Sequence, residues 1–142
     1  MKTLLLISIL FTKILLAQTD SGILSVKTYN LKNDEGYVLV KLFRESDKIP
    51  TQPFLEKKEK IIKGAASFTF GNIPYNNYAL IVCHDENSNE NVDHNFLGIP
   101  SETLRFSNQW KFSLFSGMPT FNKLKFQFTK NNNECNFDFE DE

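Results

Sequence analysis

Polar and apolar residues in this chain alternate with a period of two, and no stretch repeats every three to four residues as an amphipathic helix would. Over residues 123–129, Leu124, Phe126 and Phe128 are separated by Lys125 and Gln127. Cys135, Phe137 and Phe139 are separated by Asn136 and Asp138, and Ala66, Phe68 and Phe70 by Ser67 and Thr69. Val38, Val40 and Leu42 repeat the spacing. Successive side chains of a strand point to opposite faces, so each run offers one apolar face to a core. The chain holds 14 phenylalanines, stiff flat side chains that suit a pleated surface. Turn-forming residues separate the runs. The pattern predicts an all-β protein, an antiparallel β-sandwich of about seven strands, transthyretin- or immunoglobulin-like.

Residues 22–29 and 37–43 are expected to pair as an antiparallel hairpin across the turn-rich segment 30–36. Pro50 and Pro53 exclude a central strand between them. Residues 54–63 carry Glu56, Lys57, Lys58, Glu59 and Lys60, charges that suit a short helix or an edge strand open to solvent, and the run of Ile61 and Ile62 into residues 64–70 favours the edge strand. Residues 71–77 read as a turn, and 78–83 as the most buried strand. From 96 to 110 neither period appears, an unusually long irregular connection for a compact domain. A short strand is expected at 111–115 and a last one around Cys135. A length of 142 residues suits one domain, over 18–142.

The N-terminus has the layout of a secretory signal peptide over residues 1–17: Lys2, an apolar run from Leu4 to Phe11, and Ala17 as the small residue before cleavage. Lys13 interrupts the apolar stretch, which is too short for a membrane span. Export implies a periplasmic or secreted protein, with no transmembrane anchor after processing. In an oxidising compartment Cys83 and Cys135 either pair or stay as two buried thiols on neighbouring strands. With 16 basic against 17 acidic residues and no basic block, nucleic acid is not an expected partner.

One polar stretch stands apart. Residues 84–95 follow the most apolar strand, and every odd position from Asp85 to Asn95 is Asp or Asn. Oxygen-bearing side chains at alternate positions suit a loop that wraps Ca²⁺, which takes six to eight oxygens in irregular geometry. Asp85, Asn87, Asn89, Asn91 and Asp93 occupy the first, third, fifth, seventh and ninth positions of a Ca²⁺-loop template. Glu90 stands where the template has Gly, and Phe96 where it has a bidentate Glu. Glu102 is the nearest downstream carboxylate able to complete the shell. Such a set implies an affinity of roughly 10⁻⁵–10⁻³ M. Purely local turn formation is the competing account of so many Asp and Asn residues. His84 and His94 raise a transition-metal site, although their spacing matches no short zinc motif. A hydrolytic site would combine His84 and Asp85 with Ser107 or Ser101, without a nucleophile elbow. Trp110, Phe106 and Tyr75 would make a ligand platform or pack at the bases of loops.

Taken in order, residues 71–74, Tyr78-Ala79, 84–89, Asp93, 97–102 and 106–108 resemble the bacterial domain-of-unknown-function family 2141. Its pattern includes a strand ending in Tyr-Ala, then HDEN-x-N-G-x-x-D, LG-x-P-x-E and FSN. The resemblance implies small exported β-sandwich proteins without an assigned biochemical role. It further implies that Asp85, Asn87, Asn89, Asp93 and Glu102 form one site, with residues 106–108 nearby. This chain departs at Asn76-Asn77, where the family has Gly before Tyr, and at Glu90, where it has Gly.

The expected function is an exported, non-enzymatic binding or structural domain of the bacterial cell envelope, with a Ca²⁺-stabilised loop and an envelope or extracellular partner. A small secreted hydrolase and a ligand-presenting adhesion or carrier domain are the alternatives.

Overall fold

The computed structural model describes residues 20–96, 99–113 and 115–140. The expected signal peptide at 1–17 and the pair Leu97-Gly98 lie outside them. Eight strands run in the order β1 (Ser21–Tyr29), β2 (Tyr37–Phe43), β3 (Leu55–Lys60), β4 (Ala66–Pro74), β5 (Asn76–Asp85), β6 (Leu104–Phe106), β7 (Phe126–Phe128) and β8 (Glu134–Asp138). A four-residue helix α1 (Phe121–Leu124) precedes β7, and a 3₁₀ turn occupies Ser107–Gln109. The strands form two open sheets. One has the order β4-β1-β8; the other has β3-β2-β5-β6, with β7 also pairing β5.

The alternation of the sequence survives in the burial. Ala66, Phe68 and Phe70 of β4 are buried while the residues between them are exposed. Leu24, Val26, Phe68 and Phe70 from one sheet meet Val40, Leu42, Leu80 and Val82 from the other. Phe128 and Phe137 join the same cluster. All six residues of β3 are exposed, as its charges require of an edge strand.

β5 is the exception to alternation. Residues 78–85 are buried without a break, because both faces of this strand are covered. Its even-numbered residues face the opposite sheet. Ala79 and Ile81 face outward and pack with Phe43, Phe106 and Leu124 in a second cluster. The segment after residue 103 makes that lid.

Five expectations about the fold need correction. β1 and β2 do not pair: β1 pairs β4 and β8, while β2 pairs β3 and β5. Residues 30–36 cross between sheets, and Leu31, buried and bonded through its N–H to the Gly64 carbonyl, fastens that crossing. The sandwich is not purely antiparallel, since β1 and β8 run parallel. Residues 71–74 belong to β4; a register shift against β1 absorbs one residue there, with Asn72 at φ 56°. Residues 111–113 form no strand, and Leu124, expected on a strand, ends α1.

The cysteines are free. Cys83 on β5 and Cys135 on β8 belong to different sheets, so they are not on neighbouring strands either. Cys135 packs against the core between the sheets, while Cys83 turns to the outer face of β5 and bonds Glu102.

A serine hydroxyl repairs a gap in the β5 ladder. On its outer edge β5 pairs β7 through residues 76–78 and β6 through 81–83, which leaves an interval between them. There Ser107 Oγ accepts the Leu80 N–H at 2.8 Å and donates to the Leu124 carbonyl at 2.5 Å. Ser107→Ala strands both buried backbone groups and is expected to cost roughly 2–4 kcal/mol, measurable as a lower urea midpoint at unchanged slope.

Candidate functional site

Asp85 is the last residue of β5 and is 1% exposed. A carboxylate can be buried there because both oxygens are satisfied by the turn that follows. Oδ1 accepts the Asn89 N–H at 3.1 Å, and Oδ2 accepts the Glu90 N–H at 2.8 Å. Ser88 and Glu90 adopt φ of 63°, which bends the chain tightly enough to aim both N–H groups back at Asp85. The carboxylate thus organises the loop from beneath.

Above it the side chains converge on Asp93. Asn87 Nδ2 donates to Asp93 Oδ2 at 2.5 Å, and Asn89 Nδ2 donates to Asp93 Oδ1 at 3.0 Å. The Asn87 and Asn89 amide oxygens accept backbone N–H groups inside the loop, those of Asn89 and Asn91. Asn91 turns away: its Nδ2 donates to the Asn89 carbonyl. Five of the six expected donors therefore share one bonded neighbourhood, and the Asn91 side chain serves only the turn.

Glu102 reaches the cluster from the other side. Its Oε2 faces the Asp93 N–H and the Cys83 thiol, each at 3.4 Å. Its Oε1 is buried without a partner among the described residues. Burial pushes the Glu102 carboxyl above the usual glutamate range; the thiol and the Asp93 N–H oppose that shift, and the Asp85 and Asp93 charges add to it. Burial and the neighbouring Glu102 raise the Cys83 thiol strongly.

The connection that follows is shaped rather than irregular. The Ser101 N–H donates to the Asp93 carbonyl, His94 and Pro100 form an antiparallel bridge, and the Asn95 N–H donates to the Ile99 carbonyl. This narrow ribbon returns the chain so that the His84 N–H meets the Thr103 carbonyl and β6 begins beside Cys83. Phe96, near the tip, is 95% exposed.

Two supporting residues escaped the sequence reading. Gly36 sits with φ 70° directly over the Asp85 carbonyl, where an added Cβ would lie 1.9 Å from that oxygen. Glu35 offers its carbonyl to His84 Nε2 at 2.9 Å. The glycine ending the 30–36 turn was the available signal. Lys58 of β3 pairs with Glu90, so the edge strand braces the loop at the position where a Ca²⁺-loop template has glycine.

The alternative sites separate. His84 is buried and bonded to Glu35, while His94 is exposed on the ribbon. Ser107 spends its hydroxyl on backbone groups of β5 and α1. Tyr75 packs on Phe128 in the core between the sheets, whereas Phe106 and Trp110 meet edge-to-face at 4.8 Å outside β5. The three aromatics form no common platform.

Among the described residues no three His, Cys, Asp or Glu side chains gather as a metal-holding group. The donors in the loop are carboxylates, amides and carbonyls, with the one nearby thiol held protonated. That chemistry fits a hard cation and not a soft one. Among the described residues, the orphaned Glu102 Oε1 is a buried oxygen left for it.

These features define a small two-sheet β domain whose central strand ends in a self-bonded Asp/Asn loop. The chain belongs to the family described as uncharacterized protein conserved in bacteria (DUF2141), whose model matches residues 26–136. No curated protein and no solved structure matches it.

Asp85→Ala removes a charged acceptor from two backbone N–H groups and is expected to cost roughly 2–3 kcal/mol, read by chemical denaturation. The raised Glu102 carboxyl sets a sign as well. The metal-free fold binds a proton more readily than the unfolded chain, so stability from this group is greatest below the ordinary glutamate pKa. It is lost as pH rises through the folded value. Carboxyl chemical shifts against pH should place the Glu102 midpoint above the usual range.

Proposed function

We propose that this is an exported, non-enzymatic binding or structural domain of the bacterial cell envelope whose 85–93 loop takes Ca²⁺. The observation that carries the reading is the convergence of Asn87, Asn89 and Glu102 on Asp93, above a buried Asp85. Asp93, Asp85 and Glu102 would supply charge, and Asn87 and Asn89 neutral oxygens once their amides turn. An amide exchanges its oxygen and nitrogen by a half rotation, so the protons now given to Asp93 can be replaced by oxygens facing a cation. The unpartnered Glu102 Oε1 gains a partner in the same change. The ion's contribution is neutralisation of carboxylate charge in the loop and closure of the loop.

Export is supported by Lys2, the apolar run after it and Ala17. No helix among the described residues is long and apolar enough to cross a membrane. The opposition of a three-strand sheet to a larger one supports a transthyretin- or immunoglobulin-like topology. The separate uses of His84 and Ser107 in backbone bonds weigh against a hydrolase built on them.

Calorimetric titration of chelator-treated protein with Ca²⁺ tests the reading. Saturable binding is expected at roughly 10⁻⁵–10⁻³ M, with a rise in melting temperature worth about 2.7 kcal/mol at a hundredfold excess over Kd. Asp93→Ala should abolish both while leaving a folded protein, because the Asn89 and Glu90 N–H groups stay bonded to Asp85. Absence of heat and of any thermal shift would reduce the loop to a structural turn.

A further inference from the structure

The outer edge of β8 is an unblocked strand edge beside a groove lined by residues of β8 and of the segment after β6. Two hydrogen bonds fix the direction of its backbone. The Ser25 N–H donates to the Asn133 carbonyl at 2.9 Å, and the Phe139 N–H donates to the Tyr29 carbonyl at 3.0 Å. Odd-numbered residues therefore turn their main-chain groups towards β1, and Glu134, Asn136 and Asp138 turn theirs away. Arg105 closes the far end of that edge, donating to the carbonyls of Asp138 at 2.8 Å and Phe139 at 2.9 Å. The outward N–H and C=O groups of Glu134 and Asn136 meet none of the described residues.

Three of the other edge strands, β3, β4 and β6, are defended. β3 carries a row of exposed charges, three of them lysines. Lys57 reaches from β3 to bond the Thr69 carbonyl of β4 at 2.5 Å. β6 has only three residues before the chain turns into 3₁₀ geometry. Proteins blunt edges in these ways to prevent unwanted strand pairing. Glu134–Phe137 carries no lysine, proline or bulge, which marks an edge left open. Facing it is a groove of about 710 Å³ with Trp110 and Lys111 on its opposite wall and Phe126 lining it. That size lies in the range of ligand clefts.

We propose that β8 takes an extended peptide segment of a partner protein as an added strand, and that this segment carries basic residues at alternate positions. Strand geometry sets the first part: outward backbone groups two residues apart are satisfied in register only by another extended backbone. Charge sets the second. Glu134, Asn136 and Asp138 share the solvent face of the sheet, which leaves two carboxylates flanking the docking position. Lys27 pairs with Glu134, whereas Asp138 meets no cation among the described residues and accepts only the Asn30 amide and the Glu140 N–H. A second copy of β8 fits poorly. Antiparallel pairing about Asn136 sets Glu134 of each copy against Asp138 of the other, a repulsive cross-strand pair. The site is separate from the Asp/Asn loop and does not depend on Ca²⁺.

A blocked peptide alternating valine and lysine is the probe, and the emission of Trp110, the only tryptophan, is the readout. Saturable binding is expected. Asn136→Pro removes an outward N–H without touching the β1 ladder, so the protein should keep its melting temperature and bind about tenfold more weakly. The same peptide methylated on alternate backbone nitrogens should not bind the unaltered protein, a control that requires no variant. Absence of binding, or equal binding by the methylated peptide, overturns the proposal. Equal binding of a valine–glutamate peptide overturns the charge assignment. A concentration-dependent dimer in sedimentation, lost on Asn136→Pro, would show that a second copy fills the edge, and overturns the partner class.

Discussion

Burial of β5 on both faces is the constraint on which the rest of this structure depends. A strand whose residues 78–85 are all buried cannot rely on one opposing sheet. Leu80 and Val82 face that sheet, while Ala79 and Ile81 need a second cover. The chain supplies it with the segment from β6 to α1, which otherwise has little regular structure to justify its path. Complete burial also demands a complete hydrogen-bond account, since an orphaned backbone group in such a place is costly. β2 satisfies one edge. β6 and β7 share the other, and the Ser107 hydroxyl fills the interval between them. The Phe-Ser-Asn motif thus has a structural meaning: Phe106 covers, Ser107 bridges, and Asn108, at φ 58°, holds the Lys123 carbonyl of α1.

The loop is a consequence of the same strand. β5 carries its buried run to Asp85, where the chain must leave the core with a carboxylate already inside it. The turn that follows returns two N–H groups to that charge. Its geometry needs left-handed backbone at Ser88 and Glu90, and Gly36 must pass over the Asp85 carbonyl without a side chain. Glu90 holds a conformation that glycine adopts more easily, and its pairing with Lys58 offsets part of that disadvantage.

Alternation told more about faces than about neighbours. The inward residues of β2, β4 and β8 were legible because a period of two assigns each side chain to a face. The charges of β3 identified an edge for the same physical reason. Pairing was not legible: β1 and β2 lie close in sequence, yet each found its partners elsewhere, since the alternation of an apolar run is the same in either sheet. β6 was too short to show a period, and its cover of β5 depends on contacts far apart in the chain. In the loop, Asp85, Asn87, Asn89, Asp93 and Glu102 could be named from oxygen spacing and family motifs. The turn of the Asn91 amide towards the Asn89 carbonyl could not, because spacing does not distinguish a side chain that faces a centre from one that closes a local turn.

The placement of the two cysteines bears on handling of the molecule. Cys83 and Cys135 sit on separate sheets, and burial pushes Cys135 up to about 12 and raises Cys83 strongly as well, so neither sulfur is an effective nucleophile near neutral pH. The fold needs no oxidant to form, and a reducing host suits its production. A single cysteine introduced at the fully exposed Phe115 position would react with maleimide probes ahead of both natural thiols, giving a clean point for a fluorophore or a surface tether.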